Sequence, residues 1–284
     1  MLRRPSALVI ASVCTFALGQ MASAADLPRK APGPPPPPAY SWTGFYVGAN
    51  VGGGWGDRDV SYSPNDPLMV FLFTPGEGGA PPPASFRSSG VLGGVQAGYN
   101  WQFNPSWLVG IETDFDWSNV KGSASSVGVI ETVAPYTATV HERLKWFGTA
   151  RARLGYLPMP NVLAYVTGGF AYGRIERTGT YTSNFNGPLV GNIGGFSFIC
   201  SAFATCFAGS QRHTAVGWTL GGGLEYAIDR RWTVKAEYLY VSLDSDSMTE
   251  TALLFAPGAT PASLNANFDR FNFSVARVGA NYRF

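Results

Sequence analysis

The sequence is poor in charged residues, in histidine and in cysteine. Asp, Glu, Lys and Arg make up 13% of its 284 residues, and it has two histidines and three cysteines. Two histidines without close spacing are weak evidence for a metal site. There are 20 basic and 18 acidic residues, and two of the basic ones, Arg3 and Arg4, lie in a leader-like stretch. Without that stretch the chain is formally neutral, which argues against nucleic-acid binding.

The sequence also lacks long apolar runs. Beyond residue 24, no segment has the roughly 18 uninterrupted apolar residues of a membrane-spanning helix. Glycine and aromatic residues are plentiful instead, with 35 glycines and an aromatic content of 14%. This composition disfavours a helical enzyme and favours many strands joined by tight turns.

Residues 1–24 have the pattern of a secretory signal peptide. A basic start and an apolar run precede a cluster of small residues, which predicts cleavage between Ala24 and Ala25. A short anchoring helix is the alternative. Residues 25–43 contain five consecutive prolines, which predict a stiff periplasmic spacer or, alternatively, a ligand for a proline-binding groove.

Export would leave two cysteines, Cys200 and Cys206, since the third lies in the leader. An even pair of cysteines in an exported protein predicts a local disulfide. Two buried free thiols are the alternative.

Residues 44–284 contain eight segments in which apolar residues alternate with small or polar ones. A period of two residues is typical of β-strands that have one apolar face. The segments are 45–55, 91–103, 107–117, 146–156, 162–172, 216–226, 232–240 and 275–284. Tight turns join three pairs of segments and long connections join the rest, in strict alternation. The predicted fold is therefore an all-β, eight-stranded antiparallel up-and-down barrel with its turns at one end and its loops at the other.

The two faces of the segments favour a transmembrane barrel over a soluble one. An eight-stranded barrel is so narrow that side chains fill its interior, so the small and polar face belongs inside. The apolar face must then point outward, and only lipid accepts it without aggregation. Aromatic residues cluster near the strand ends, as in the girdles at the two membrane surfaces. A soluble lipocalin-like barrel is the rival, and it requires the reverse arrangement.

The inward face carries a predicted charge network. Charges in a confined interior persist only when they are paired, so a salt-bridged lumen with little or no pore is expected. The acidic members are Glu112, Asp114, Asp116, Glu225 and Glu237, and the basic members are Arg151, Arg153, Lys235, Arg277 and Arg283. Phe271 and Phe273 do not fit an inward polar face. A bulge in the last segment, or an exit from the membrane there, would reconcile them.

Several motifs together resemble a known family. They are "ADLPRKAPGPPPPPAYSWTGFYVGANVGGGWG", "GTARARLGY", "YVTGGFAYG", "GWTLGGGLEYAI", "WTVKAEYLYV" and "VARVGANYRF". In combination they resemble the small outer-membrane β-barrel proteins of alphaproteobacteria, the porin-family or OmpA-like surface proteins. The resemblance covers essentially the whole chain after the leader. It implies a monomeric barrel with short periplasmic turns and long extracellular loops, and it implies a surface role. Some members are described as haem binders, host-contact antigens or porin-like.

The resemblance also assigns a role to the last aromatic residues. Tyr282 and Phe284 resemble the C-terminal signature that the outer-membrane assembly machinery recognises. The domain plan is then a signal peptide over 1–24, a proline-rich periplasmic spacer over 25–43 and an outer-membrane β-barrel over 44–284. Expected partners are outer-membrane lipid and the assembly machinery, with peptidoglycan or a host surface as further candidates and no nucleic acid.

The function expected from these features is a non-enzymatic, mainly structural surface protein of the Gram-negative outer membrane. No catalytic residue, cofactor or metal site is predicted, because the carboxylates are balanced by basic residues and no constellation surrounds the histidines His141 and His213. One alternative is porin-like transport, or capture of haem or another small ligand by the extracellular loops. Another is a barrel enzyme that acts on lipid or peptide.

Overall fold

The computed structural model describes residues 40–130 and 134–284. The signal peptide, its cleavage site at Ala24 and Ala25, and all but the last residues of the proline-rich spacer lie outside the described residues. The described strands are β1 (Gly44–Pro64), β2 (Ala84–Asn104), β3 (Trp107–Ile130), β4 (Ala134–Met159), β5 (Val162–Ser183), β6 (Leu189–Ile193), β7 (Phe196–Cys200), β8 (Thr205–Ala227), β9 (Trp232–Leu243), β10 (Asp246–Ala252), β11 (Thr260–Pro261), β12 (Ser263–Phe268) and β13 (Phe271–Arg283), with one short helix, α1 (Pro67–Leu72). No helix in this part of the chain is long and apolar enough to cross a membrane.

Eight long strands form a closed antiparallel ring. Its order is β1, β2, β3, β4, β5, β8, β9 and β13, and β13 pairs with β1 to close it. The closing register runs without interruption from Tyr46 opposite Arg283 to Trp55 opposite Ser274. The eight predicted segments are all present in this ring. Closure removes the free sheet edges that would otherwise pair with other chains.

The long connections are mostly strand, although the sequence predicts loops there. β3 and β4 stay paired from Trp107 opposite Tyr156 to Ile130 opposite Ala134. On the side of β9 and β13 the wall is continued by β10 and β12, and β12 pairs with β1. A second sheet of β6, β7 and β11 lies in the remaining connections. We call the end with the short turns the turn end and the opposite end the loop end.

The outer surface changes character along the strands. From the turn end up to Trp55, Trp117, Trp146 and Trp218, the outward side chains are mainly apolar, and they include many exposed aromatic, valine and leucine residues. Beyond this boundary the alternation continues with its polarity reversed. On β4, for example, Val140 is buried while its outward neighbours are polar. The barrel thus has an apolar band that fits lipid and a part beyond it that fits water.

The interior is layered. At the turn end, the indole of Trp42 is fully buried among apolar side chains, so the barrel's contacts begin slightly before Gly44. Charged residues lie above this layer, followed by a second apolar layer that contains Leu144, Phe147 and Phe273. A large apolar core then fills the loop end, and β7, β10, β12 and α1 contribute buried side chains to it.

Of the two explanations predicted for Phe271 and Phe273, the bulge is absent from the pairing of β13 with β9. Both residues lie beyond Ser274, which is opposite Trp55 at the edge of the apolar band, as the predicted exit from the membrane requires. β13 pairs with β9 in unbroken register from Phe271 opposite Leu243 to Tyr282 opposite Trp232. Both phenylalanines point inward and are 1% exposed, with Phe273 packed edge-to-face on Phe147 at 5.4 Å between ring centroids. The interior accepts them because it is not uniformly polar but includes a complete apolar layer at this level.

Candidate functional site: the charged interior of the barrel

The predicted charges meet inside the apolar band. Every one of the ten predicted residues points inward and is at most 5% exposed. Strand alternation explains this, because Glu112, Asp114 and Asp116 are two residues apart on β3 and so share its inner face. In the antiparallel pair of β3 and β4, Glu112 lies directly opposite Arg151. We call the nine residues other than Arg283 the lumen network.

Arg277 binds three carboxylates of the lumen network. From β13, its guanidinium donates to Asp114 and to Asp116 on β3, both at 2.7 Å, and to Glu237 on β9 at 2.8 Å. β3 and β13 are not neighbours in the ring, so the bonds to Asp114 and Asp116 cross the lumen. Charge-assisted hydrogen bonds of this kind are about twice as strong as neutral ones.

Arg151 and Lys235 hold the centre of the lumen network. The guanidinium of Arg151 donates to Glu237 at 2.9 Å and to Asp114 at 2.8 Å, and it also contacts Glu112. The ammonium of Lys235 donates to the two oxygens of Glu112 at 2.9 and 3.0 Å. Glu112, Asp114 and Glu237 are therefore each shared by cations from different strands.

The part of the lumen network nearest the turn end is completed by neutral groups. Arg153 donates to Glu225 at 2.9 Å and to the hydroxyl of Tyr46, also at 2.9 Å. The Tyr46 hydroxyl in turn donates to Glu112 at 2.7 Å. Asn281 donates to Glu225 at 2.9 Å. These donors are needed because the lumen network has five carboxylates and four cations.

Glycines on β1 and β2 make room for the lumen network. A β-carbon at Gly98 would collide with the ring and hydroxyl of Tyr46 and with the backbone oxygen of Ile111. Gly48 is likewise in close approach to the side chain of Asn281. Because these inward positions of β1 and β2 have no side chain, long side chains from the other strands can extend across the lumen.

Arg283 does not join the lumen network. Its guanidinium donates to the backbone oxygen of Thr43 at 3.2 Å and lies 4.9 Å from the ring centre of Tyr40 and 5.7 Å from that of Trp42. Among residues 40–130 and 134–284, no carboxylate lies within salt-bridge distance of it. The cause is its position at the end of β13, beside the chain that enters the barrel. Arg283 instead helps to hold the aromatic rings of Tyr40 and Trp42 at the turn end.

A second, smaller ion cluster lies above the second apolar layer and was not predicted. The carboxylate of Glu142 on β4 accepts from Arg58 on β1 at 3.1 Å and from Arg177 on β5 at 2.8 Å. All three side chains are buried. Their signal in the sequence was present, since each lies on the inward phase of a strand that continues past the apolar band. It was missed because those stretches were assigned to loops.

Glu250 is an isolated buried acid in the core of the loop end. Its side chain is fully buried, and both carboxylate oxygens are without a hydrogen-bond partner. Burial raises the pKa of Glu250 to about 7. The phenols of Tyr62 and Tyr181 are among its surroundings. At neutral pH this carboxyl is therefore close to its point of half-protonation.

The remaining candidates lie apart from one another. His141 is exposed on the outer surface of β4, whereas His213 points inward on β8, with its Nδ1 3.4 Å from Asp246. Burial lowers the pKa of His213. The two histidines therefore share no site. Cys200 and Cys206 form the predicted disulfide, with 5.0 Å between their α-carbons, and it lies in the core of the loop end.

Comparison with known proteins agrees with this architecture. A family model described as outer membrane protein beta-barrel domain matches residues 10–284. The 31 kDa outer-membrane immunogenic protein of Brucella melitensis biotype 1 is 33% identical to this chain, with 98% of this chain and 99% of that protein covered. The 25 kDa outer-membrane immunogenic protein of Brucella canis is 27% identical, with 84% and 85% covered. The crystal structure of OprG from Pseudomonas aeruginosa aligns with 85% of this chain and 96% of that chain, at 11% identity and a TM-score of 0.43. By the family model and the 33% identical relative, the chain belongs to the outer-membrane β-barrel proteins and resides in the outer membrane.

Proposed function

We propose that this protein is a non-enzymatic surface barrel with a closed lumen and a mainly structural role in the envelope. The observation that carries the proposal is the layering of the interior. Apolar layers lie on both sides of the lumen network, one around Trp42 and the other around Phe147 and Phe273. A hydrated path through the barrel would have to cross both of them. Ions are excluded from such layers because transfer of a charge into an apolar environment is costly.

The lumen network supports a structural role over a catalytic one. A general acid or base must reach a substrate, and it needs a geometry that leaves it free to exchange a proton. The carboxylates here are instead held by cations, with Glu112, Asp114 and Glu237 each bound by two or more, and they are shielded from solvent. Buried ion pairs of this kind connect different strands, and removal of one partner is strongly destabilising.

Conductance of the refolded protein tests the closed lumen. In planar bilayers at neutral pH, we expect the wild type to conduct no more than the lipid alone. Phe147→Ala combined with Phe273→Ala removes two facing rings of the second apolar layer, and this variant should raise the conductance or the entry of water. The matched control, Phe170→Ala, removes a lipid-facing ring that is 50% exposed and should leave the lumen closed. Steady channels in the wild type would overturn the proposal.

Porin-like transport, or ligand capture at the loop end, is the second candidate. Its support is a group of exposed apolar side chains at the loop end. These residues include Phe203, Leu253, Leu254 and Phe255, between 42% and 64% exposed. Exposed apolar side chains in a group are typical of binding surfaces. Haem titration followed by absorbance, on the same refolded sample as the conductance test, separates capture from a purely structural role.

Surface exposure is the third element of the proposal. Short turns are periplasmic in outer-membrane barrels, so the loop end faces outward. The Brucella relatives are named as immunogenic proteins. We expect antibodies raised against the folded protein to bind intact cells, and to bind less after the loop end is cleaved by protease. A host surface is a candidate partner for this end, and peptidoglycan is a candidate partner for the proline-rich spacer.

We also propose that the assembly machinery recognises β13 through its outward aromatics. The ring of Phe284 is 81% exposed, and it packs edge-to-face on Tyr282 at 5.4 Å between ring centroids. Phe284 contributes little to the folded barrel beyond one backbone hydrogen bond to Phe45. Deletion of Phe284 should therefore lower the amount of protein in the outer membrane more than it lowers the stability of barrel refolded in vitro. Normal surface levels of this variant would contradict the assignment.

A further inference from the structure

One sector of the barrel carries a dense group of basic side chains immediately beyond the apolar band. We propose that this sector binds the phosphorylated headgroups of the glycolipid in the outer leaflet. The group, here called the basic face, lies on four consecutive strands of the ring, β3, β4, β5 and β8. Its members are Lys121, Arg143, Lys145, Arg174 and Arg212. The proposal concerns the outer surface and does not depend on whether the lumen is closed.

Strand register makes the basic face continuous. Lys121 is paired directly with Arg143, Arg143 with Glu176, and Glu176 with Arg212. Side chains paired in this way on one face of an antiparallel sheet are roughly 5 Å apart at their β-carbons. Like charges opposite each other destabilise a sheet, so a pair such as Lys121 and Arg143 is retained at a cost unless an anion lies between the two groups.

A β-bulge adds a further cation at the edge of the apolar band. The register of β4 against β5 shifts between Leu144 and Trp146, so Lys145 is an extra residue. Bulges re-aim side chains. Here the neighbours Lys145 and Trp146 both point outward, and the ammonium nitrogen of Lys145 lies 3.2 Å from the carboxylate of Glu176.

The basic face has a net positive charge that its own acids do not cancel. Glu176 is the acidic residue within it, and it contacts Lys145 at 3.2 Å and Arg212 at 3.5 Å. Arg143 donates to the neutral amide of Asn119. The side chain of Arg212 remains 70% exposed. An anion can therefore approach these groups from outside.

The opposite sector of the barrel has the reverse charge at the same level. Outward or loop-facing acids follow the apolar band on β1, on the connection from β9 to β10, and before β13. The exposed ones are Asp57, Asp59, Asp244 and Asp269, and they outnumber the two exposed basic residues beside them, Arg87 and Arg270. A uniform polar surface would serve solubility alone, whereas a division into a basic and an acidic sector points to a directional partner.

Position favours a lipid headgroup over a soluble anion or a protein. Lys121 is four residues beyond Trp117, and Arg174 is two beyond Tyr172. At about 3.3 Å per residue along a tilted strand, these charges lie within roughly 5–12 Å of the girdle. Phosphates on a membrane glycolipid lie at this depth, where the low local dielectric strengthens their attraction to Lys and Arg.

Binding of a defined lipid to purified, refolded barrel tests the proposal. The probes are a bisphosphorylated diglucosamine lipid in neutral detergent micelles, the same lipid without its phosphates, and inorganic phosphate. The test variant is Lys121→Gln/Arg143→Gln/Arg212→Gln. The matched control, Arg230→Gln/Arg231→Gln, removes exposed charges from a turn at the other end of the barrel. The mobility of unheated samples on gels, compared with heated ones, verifies that each variant is folded.

The wild type should bind the bisphosphorylated lipid, with an affinity that falls as salt is added. Each basic side chain near an anionic surface contributes about a fivefold gain, so loss of three should weaken binding about 100-fold. The control should bind as the wild type does. Wild-type affinity in the triple variant, equal loss in the control, or equal binding of the dephosphorylated lipid would each overturn the proposal. So would tight binding of inorganic phosphate.

Discussion

Arg277 crosses the lumen from β13 and donates to the carboxylate of Asp114 on β3 at a distance of 2.7 Å. The two strands are separated in the ring by β1 and β2. β13 is also the strand that closes the barrel against β1. A single ion pair therefore links the closing strand to the far wall, and the same guanidinium extends the link to Asp116.

Replacement of Arg277 should destabilise the barrel severely. Arg277→Met keeps much of the side-chain length but leaves Asp114, Asp116 and Glu237 short of a cation in a dry interior. Loss of one partner of a buried pair costs about 3–5 kcal/mol. Urea unfolding in lipid vesicles, followed by tryptophan fluorescence, measures the change in the free energy of unfolding.

An exposed ion pair of this barrel provides the control. Arg87 donates to Asp57 at 3.1 Å, but the two side chains are 72% and 76% exposed. Water competes for such pairs, which contribute about 0–1 kcal/mol, so Arg87→Met should be almost neutral. Equal losses in the two variants would show that the lumen network does not hold the strands together.

Gly98 should be intolerant of even one methyl group. In Gly98→Ala the new β-carbon meets the ring of Tyr46 and the backbone of β3, and relief of the overlap displaces the hydroxyl that bridges Arg153 and Glu112. Overpacking of this kind costs about 1–3 kcal/mol. Gly53→Ala is the comparison, because its nearest contact would be at 3.8 Å, and it should be neutral or slightly stabilising. Unfolding curves of the two variants that coincide would contradict this account.

Much of the membrane-spanning part could be predicted from the sequence. Period-two alternation assigns the face of each residue, and a narrow lumen requires the small and charged face inside. Segments that follow each other in an up-and-down barrel are neighbours, so Glu112 to Asp116 could be placed facing Arg151 and Arg153. The ten predicted residues do point inward, although Arg283 contacts Tyr40 and Trp42 and not the lumen network.

The part beyond the membrane could not be predicted in the same way, and the reason is physical. Past the girdle, water replaces lipid as the outer solvent, so the same strands reverse the polarity of their two faces. Val60 and Val140 are therefore inside, although a lipid-based rule places valine outside. The charge cluster of Arg58, Glu142 and Arg177 lies on the inward-facing positions of this region. It could have been identified by continuing the strands past Trp55 with water, not lipid, as the outer solvent.

The disulfide should stabilise the loop end without affecting the membrane-spanning barrel. Cys200 and Cys206 are six residues apart, and closure of so short a loop contributes about 2 kcal/mol in the chain-entropy model. Cys200→Ala/Cys206→Ala should speed proteolysis between β6 and β8 while the heat-modifiable gel shift persists. Reduction of the wild type tests the bond alone, since it keeps both sulfur atoms. Unchanged cleavage rates in both cases would remove the assigned role.

Glu250 should make the loop end less stable as pH rises from acid to neutral. Its pKa is raised by burial from 4.5 to about 7, so the folded protein keeps a proton that the unfolded chain loses between these values. Stability is therefore highest below about pH 4.5, declines as pH rises to about 7, and is level above it. One pKa unit corresponds to about 1.4 kcal/mol, which gives a total decline of about 3 kcal/mol.

Glu250→Gln isolates this effect because it removes the charge while keeping the shape. The difference in stability between wild type and variant should change by about 3 kcal/mol across that pH window, as measured by hydrogen exchange of amides in β10 and β12. Asp244→Asn, at an exposed acid, should show no such dependence. If the wild type and Glu250→Gln follow parallel pH profiles, the buried carboxyl is compensated in solution, and the loop end is not pH-sensitive through this residue.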